Sequence, residues 1–376
     1  MTTSELLSES VDAARLREAG AFEGPLAEAG GRIVLFGAGS LGRKVLAALR
    51  RRHVEPLAFA DNNAQLAGTL VDGVPVIPPT LAAERFRDDA LFVVTTFLPA
   101  GGGVRRRLLE LAALGCRRST SFLPLGWQYE GVLPHFGADL PSRLLGHAGE
   151  LARVAELWDD GASRAAFRRE LSWRLHGDFG DSAPPAPDQY FPRDLLLSNP
   201  GEAFVDGGAF DGDTLRSAPW PFARTVAVEP DPSSAARLRS FFGDSVLVRE
   251  NLLGSARGSA RFNGTGTVAS SRSEGGAFDV PVTTLDDLTA GEPPTFIKLD
   301  VEGDELAALH GGLKTLKAAQ PVVAVCVYHR PEDLWTIPLF LRDALPGHRL
   351  HLRAHAWDGF ELVAYAVPPE RSREGP

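Results

Sequence analysis

Apolar runs that end in glycine or acid alternate with helically spaced apolar positions along this chain. In "RIVLFGAGSLGRKV" (32–45) an apolar strand enters a glycine turn, and Leu41, Val45 and Leu49 then recur at helical spacing. "VEPLAFADNN" predicts a second strand, "ALFVVTTF" (90–97) a third, and "GVRRRLLELAALGC" (103–116) a further helix. Strands that alternate with helices predict a parallel sheet. Residues 139–176 then read as helical throughout, with Leu144, Leu151, Val154, Leu157 and Trp158 in one series and Phe167, Leu171 and Leu175 in another. The proline- and glycine-dense stretch "GDFGDSAPPAPDQYFP" (177–192) predicts a linker.

The second half repeats the alternation. Strands are predicted at "AFVDGG", "TVAVEPD" (225–231), "VLVREN" (246–251), "TFIKLD" (295–300), "VVAVCVYH" (322–329), "RLHLRAHA" (349–356) and "ELVAYAVP" (361–368), with helices at 233–242, 304–317 and 332–343. Only "WDGF" separates the last two strands, too little for a crossover helix, and Asp358-Gly359 is a hairpin signal. The last strand should therefore run antiparallel. The expected fold is α/β: a Rossmann-like, doubly wound sheet of the class I methyltransferase plan with an antiparallel last strand, preceded by a second Rossmann-like α/β domain. The spatial order of the strands is taken from that plan by analogy. The expected domains are 1–135, a helical connector and linker over 136–192, and 193–376.

A length of 376 residues agrees with two domains, and 44% hydrophobic with 23% charged residues is ordinary for a soluble protein. The net charge of -9 speaks against a broad nucleic-acid surface. No apolar run approaches the ~20 residues that span a bilayer, and the N-terminus lacks a signal peptide's apolar core. Cys116 and Cys326 lie far apart beside apolar stretches, so buried free thiols and a cytoplasmic location are expected.

"AFVDGGAFDGDT" (203–214) has the shape of a phosphate cradle yet carries Asp206, Asp211 and Asp213. Phosphate at a helix N-terminus is favoured by free N–H groups and repelled by nearby carboxylates, by about 4 kcal/mol for a close pair. A ligand with a sulfonium, an ammonium and a carboxylate but no phosphate suits such a turn, and S-adenosylmethionine is that ligand. Gly207, Gly208 and Gly212 permit close backbone approach. Asp206 is expected to hold water or the ligand's ammonium. Asp211 and Asp213 either face the ligand or cap the next helix, and Glu229, closing the second strand, is placed to accept the ribose hydroxyls. Asn251 follows the third strand, where adenine docks.

The motifs "FVDGGAFDGDT", "EPDP", "TLDDL", "FIKLDVEGDELAALHGG" and "VYHRPEDLWTIPLFL" together resemble the FkbM family of S-adenosylmethionine-dependent methyltransferases over roughly residues 190–367. The most specific stretch is "KLDVEGDE". The resemblance implies methylation of a hydroxyl on a sugar, glycoside or polyketide-type natural product. The glycine- and serine-rich loop 263–278 is expected to close over the acceptor with Ser270 and Ser271 as hydrogen-bond donors, and a similar serine pair follows a small-residue stretch in the family it resembles.

Ligands in such sheets bind at the carboxyl ends of the strands. Asp300 and Glu302 follow "TFIKLD", and His329 ends the next predicted strand, so the three are expected to converge as catalytic groups. His329 is the expected base, because imidazole titrates near neutrality, with Asp300 as the orienting group or the base itself. Lys298 alternates with Asp300 and is expected on the acceptor's side. A divalent metal on these residues is compatible with their chemistry but is not predicted.

Upstream, "GAGSLG" gives G-x-G-x-x-G at Gly37, Gly39 and Gly42, with Asp61 closing the next strand. A nucleotide, a phosphorylated acceptor reached by Arg105, Arg106 and Arg107, or a purely structural or dimerising role all fit this half. The readings to be separated are therefore O-methyl transfer to a small-molecule acceptor, N- or C-methylation, a nucleotide-sugar oxidoreductase using "GAGSLG", and a non-catalytic scaffold. No nucleic-acid or membrane partner is expected, and a homodimer is compatible.

Overall fold

The run Ile33–Phe36 is buried at every position, as a strand in the middle of a parallel sheet must be. The computed structural model to which it belongs describes residues 1–134, 136–181, 183–263, 271–272, 276 and 278–373. Contacts divide the chain into two units. One comprises Met1–Ala152, Phe167–Pro185 and Ala356–Phe360; the other comprises Arg153–Ala166, Ala186–His355 and Glu361–Pro376. Residues of the stretch 136–192 fall in both.

The first unit holds strands β1 (Ile33–Phe36), β2 (Ala58–Ala60), β3 (Leu70–Val71), β4 (Val74–Ile77), β5 (Leu91–Val94) and β6 (Arg118–Ser121) in the order β3-β4-β2-β1-β5-β6. All neighbours are parallel except the β3–β4 hairpin. Its turn, Asp72-Gly73, takes positive φ at both residues, which glycine and aspartate tolerate. Strands β3, β4 and β6 were not foreseen. β3 has two residues, and β6 reads "RSTS" with no apolar signature.

The second unit begins its sheets with β7 (Ala203–Gly207), β8 (Arg224–Val228) and β9 (Leu247–Arg249). There follow β10 (Leu252–Leu253), β11 (Gly258–Asn263), β12 (Ser271–Arg272) and β13 (Phe278–Thr283), then β14 (Phe296–Leu299), β15 (Val322–Cys326), β16 (Arg349–Ala354) and β17 (Leu362–Val367). Seven of them form one sheet in the order β16-β17-β15-β14-β7-β8-β9. β17 is antiparallel to both its neighbours, and every other pair is parallel. The expected fold class is therefore present, including the reversed last strand. β10 to β13 make a separate four-stranded sheet that was not foreseen, with β12 inside the expected loop 263–278.

Three local expectations need correction. The helix foreseen over 139–176 is three helices, Pro141–Leu145, Ala148–Ala155 and Gly161–His176. The helix at 304–317 is two, Glu305–Gly311 and Leu313–Ala319, parted at Gly312, whose Cα packs against Leu285 too closely for a side chain. β15 ends at Cys326, so His329 lies in the following loop and not on the strand.

The edge of the sheet at β16 is covered rather than bare. Asp159 N–H donates to Leu350 O (2.9 Å), Leu352 N–H donates to Ser163 Oγ (2.9 Å), and Asp160 pairs with Arg353 (2.9 Å) and His351 (2.8 Å). Burial works against the Asp160 carboxylate, yet His351 and Arg353 hold it well below the usual range. Covering an edge in this way removes a template for wrong pairing. Both cysteines are free and buried, and no helix among the described residues is long and apolar enough to cross a membrane.

Asp358 belongs to the first unit and accepts Val104 N–H (2.8 Å) at the start of the helix Gly103–Ala113, which has no local side-chain cap. Burial, aided by the Glu170 charge and opposed by that hydrogen bond, pushes its carboxyl up to about 7. An acid displaced upward on folding is destabilising once ionised. Its contribution is best below the unfolded value near 4 and is lost as the pH rises through 7, to the extent of roughly 4 kcal/mol. Calorimetric melting at pH 5 and pH 8 should therefore show Asp358→Asn gaining stability over the parent protein at pH 8 relative to pH 5. A pH-independent difference would show that the Asp358 carboxyl does not titrate in this way.

Candidate active site

The turn after β7 is built by glycines in positions no side chain could share. Gly208 has φ +76°, and a Cβ there would lie 1.8 Å from Asp300 O. Gly212 has φ +84° and presses on Phe242 and Leu238. A Cβ at Gly207 would lie 2.9 Å from both Leu253 and Leu299. These contacts bring the turn against the end of β14.

Beneath the turn lies a buried charge pair. Asp206 and Lys298 are register partners across β7 and β14. Lys298 Nζ stands 3.1 Å from Asp206 Oδ1 and donates to Gly208 O at 2.6 Å, with the Tyr190 ring centroid 5.1 Å away. Both side chains are almost wholly enclosed. Burial raises the Asp206 carboxyl to about 6 in spite of the adjacent ammonium, and the same carboxylate with Asp300 drives Lys298 upward against its own burial. Lys298, expected to meet the acceptor, is thus committed to the turn. It also supplies the cation that Asp206 was expected to take from the ligand.

Glu229 is buried at the end of β8 and grips the turn from the other side. Its Oε2 accepts Phe210 N–H and its Oε1 accepts Asp231 N–H, both at 2.8 Å. Each oxygen retains a lone pair for a further donor. Burial raises its carboxyl, partly offset by those two amides. Asp211 turns away to pair with Arg216 (2.9 Å), and Asp213 is exposed and accepts Thr214 N–H in the first turn of the helix Asp213–Ser217. Asn251 donates to Pro281 O (3.3 Å) at the neighbouring small sheet.

At the ends of β14 and β15 the expected convergence is present. His329 Nε2 lies 3.4 Å from Asp300 Oδ1 and 3.6 Å from Glu302 Oε2. The ring's Nδ1 meets Glu305 Oε1 at 2.8 Å, a partner that sequence reasoning missed. Glu305, fully buried, also accepts Val301 N–H and Gly303 N–H, which fixes the loop that carries Glu302. Glu302 itself has φ +55°, a conformation that costs ~1–3 kcal/mol outside glycine. Tyr190, also missed, donates its hydroxyl to Asp300 Oδ2 at 2.7 Å. Tyr328 lies against the His329 ring (centroids 4.2 Å) and donates to Glu361, which Gln189 also binds.

These neighbours decide the protonation pattern. Burial disfavours an imidazolium, but the charges of Glu305, Asp300 and Glu302 outweigh it and raise His329 to about 10. That corrects its expected role, because a ring protonated at neutral pH is not a general base. Burial pushes Glu302 up to about 7, whereas Lys298 and His329 keep Asp300 below its ordinary value in spite of burial. Ser270 lies outside the described residues, and Ser271 is placed by its backbone only, in β12 opposite Asn263.

In the first unit, Gly37 (φ +118°) approaches Thr95 and Thr96, and Gly42 packs on Gly37 O. Asp61 accepts Ala38 N–H and Asn63 N–H, both at 2.8 Å, much as Glu229 holds its own turn. Arg107 pairs with Glu110, and Arg106 points to Gly101 O; with Asn62 and Leu109 they line an open depression of about 500 Å³.

The strand order and reversed β17 define a class I methyltransferase sheet. Residues 206–354 match the sequence model of the methyltransferase FkbM domain. No curated protein matches the chain. The crystal structure of the methyltransferase FkbM from Methylobacillus flagellatus KT aligns with a TM-score of 0.78 at 21% identity, covering 97% of this chain and 99% of that one. That establishes a shared fold. Fibrillarin from Aeropyrum pernix, solved with natively bound S-adenosyl-L-methionine, aligns at TM-score 0.28 and 13% identity over 46% of this chain and 70% of that one, too weakly to carry an argument.

Gly208→Ala should cost ~2–5 kcal/mol, the sum of a left-handed backbone penalty and overpacking against Asp300. Gly291→Ala, with φ +82° but open space, should cost only the backbone share, ~1–2 kcal/mol. Thermal melting of both variants checks this; equal losses would mean that close packing at Gly208 is not what the turn requires.

Proposed function

We propose that the second unit transfers a methyl group from S-adenosylmethionine to a hydroxyl of a small polyhydroxylated acceptor, such as a sugar, a glycoside or a polyketide-type natural product. The observation that carries the reading is the buried Glu229 carboxylate. It closes β8 beside a glycine turn, and both its oxygens are fixed by amides and still able to accept from a vicinal diol. The turn fits a ligand without phosphate. Among the described residues the cations beside the turn are engaged: Lys298 with Asp206 and Gly208 O, Arg216 with Asp211, and Arg237 with Ser234 Oγ and the Phe210 ring. The acids that crowd the turn would oppose a phosphate.

S-adenosylmethionine, held by Glu229 and the glycine turn, would supply an electrophilic methyl carbon for the acceptor oxygen. The chain's own task is to hold the acceptor oxygen in line and to receive its proton. Alignment contributes most. Asp300, fixed by Tyr190 on one oxygen, presents the other beside Glu302, and these carboxylates take over the role expected of His329. The His329 cation, anchored by Glu305, balances their charge. The carboxylate- and tyrosine-lined mouth suits hydroxyl donors, which favours O-methylation over N- or C-methylation.

Titration calorimetry with S-adenosylhomocysteine should give micromolar binding that weakens ~10–100-fold in Glu229→Ala, the value of one or two hydrogen bonds to a buried carboxylate. NAD⁺ is titrated in parallel. Heat from NAD⁺ with none from S-adenosylhomocysteine would transfer the active role to the "GAGSLG" turn and end the methyltransferase reading.

A further inference from the structure

We propose that Asp300, Glu302 and His329 bind a divalent transition-metal ion, Mn²⁺ or Zn²⁺, through one oxygen of each carboxylate and the imidazole Nε2, the ion displacing to solvent the Nε2 proton that the ring carries without it. The three donor atoms all lie within 4.8 Å of one another. The two distances that involve Nε2, 3.4 and 3.6 Å, are close to the ligand-to-ligand edges of about 3.0–3.5 Å that surround an ion held at ~2.0–2.2 Å.

A second observation separates this grouping from an ordinary acidic cluster. The His329 side chain is 2% exposed, and its Nδ1 edge is held at 2.8 Å by Glu305, which is itself wholly buried. The ring's other nitrogen is thereby aimed at the two carboxylates. A carboxylate behind a histidine is the arrangement that fixes the ring and raises its basicity in metal sites. Asp300 is oriented in the same way, since Tyr190 occupies its far oxygen at 2.7 Å. Two of the three ligands are thus pre-aimed by residues that would not touch the ion.

The donor set selects the ion. Two hard oxygens and one imidazole favour Mn²⁺ or Zn²⁺, while Mg²⁺ prefers oxygen and water throughout. Three protein ligands leave positions open, and a hydroxyl bound there becomes more acidic and is held in place. The existence of the site stands on this geometry alone; its use on an acceptor hydroxyl rests on the methyl-transfer reading.

The full chain, stripped with a chelator and exchanged into metal-free buffer, is titrated calorimetrically with MnCl₂, ZnCl₂ and, for comparison, MgCl₂. One equivalent of Mn²⁺ or Zn²⁺ should bind. Affinity should fall at least tenfold in Glu302→Gly, a residue whose φ of +55° glycine adopts freely, and 10–100-fold in Glu305→Gln, which loosens the ring and the loop that carries Glu302 without removing an ion ligand. Thermal midpoints confirm that the variants are folded, and Glu305→Gln decides alone should Glu302→Gly melt early. No binding by either transition metal, or binding that both variants leave unchanged, would overturn the proposal and leave an adventitious ion only. S-adenosylhomocysteine is titrated into the same samples. Its failure to bind would count against the methyl-transfer reading without touching the metal result, and the reverse outcome would sink only the metal.

Discussion

The buried Lys298 ammonium is the constraint on which the second unit's site depends. An isolated ammonium in the interior is very costly, so its surroundings must supply both charge and hydrogen-bond acceptors. Asp206, its register partner on β7, supplies the charge, and Gly208 O supplies an acceptor at 2.6 Å. Pulled down by that bond, the glycine turn meets the end of β14 so closely that no Cβ fits at Gly208. The same ammonium helps to keep Asp300 ionised. One cation thus sets the shape of the cofactor-side turn and the charge state of the first acid on the reacting side.

From that point the site divides into two layers. The first is the turn with Glu229, where backbone amides hold the acid and the acid holds the turn. The second is the group at the ends of β14 and β15, where Glu305 fixes both the loop 301–303 and the His329 ring. Positive φ at Glu302, next to the chemistry, is tolerated because Glu305 binds the amides on either side of it. Strain and support sit within a few residues of each other.

Much of this was legible in the sequence for physical reasons. Strands buried on both faces, such as Ile33–Phe36 and Val322–Cys326, are apolar throughout and cannot be mistaken for loop. "WDGF" forced a hairpin, and β17 is reversed. The acids that follow strands were found because strand ends converge in a parallel sheet. What failed was register and reach. Period-two alternation put Lys298 beside Asp300, but pairing set it opposite Asp206, and its four-carbon stem carries the ammonium to the turn. The apolar "VVAVCVY" ran past the true end of β15, so His329 was read as a strand residue. Tyr190 reaches Asp300 across 110 positions and left no local trace. Glu305 did leave one: an acid two residues after a glycine, at the first position of a helix, is a common grip on the preceding loop's amides.

The central claim is that the acidic turn after β7 is a sulfonium-cofactor site. Its most direct test is a crystal structure of the full chain grown with S-adenosylhomocysteine. The ligand should lie at the carboxyl ends of β7 and β8, its ribose hydroxyls within hydrogen-bond distance of Glu229 and its sulfur toward Asp300 and Glu302. Density for the ligand at the Gly37–Gly42 turn, or at the first turn with Glu229 uninvolved, would contradict it.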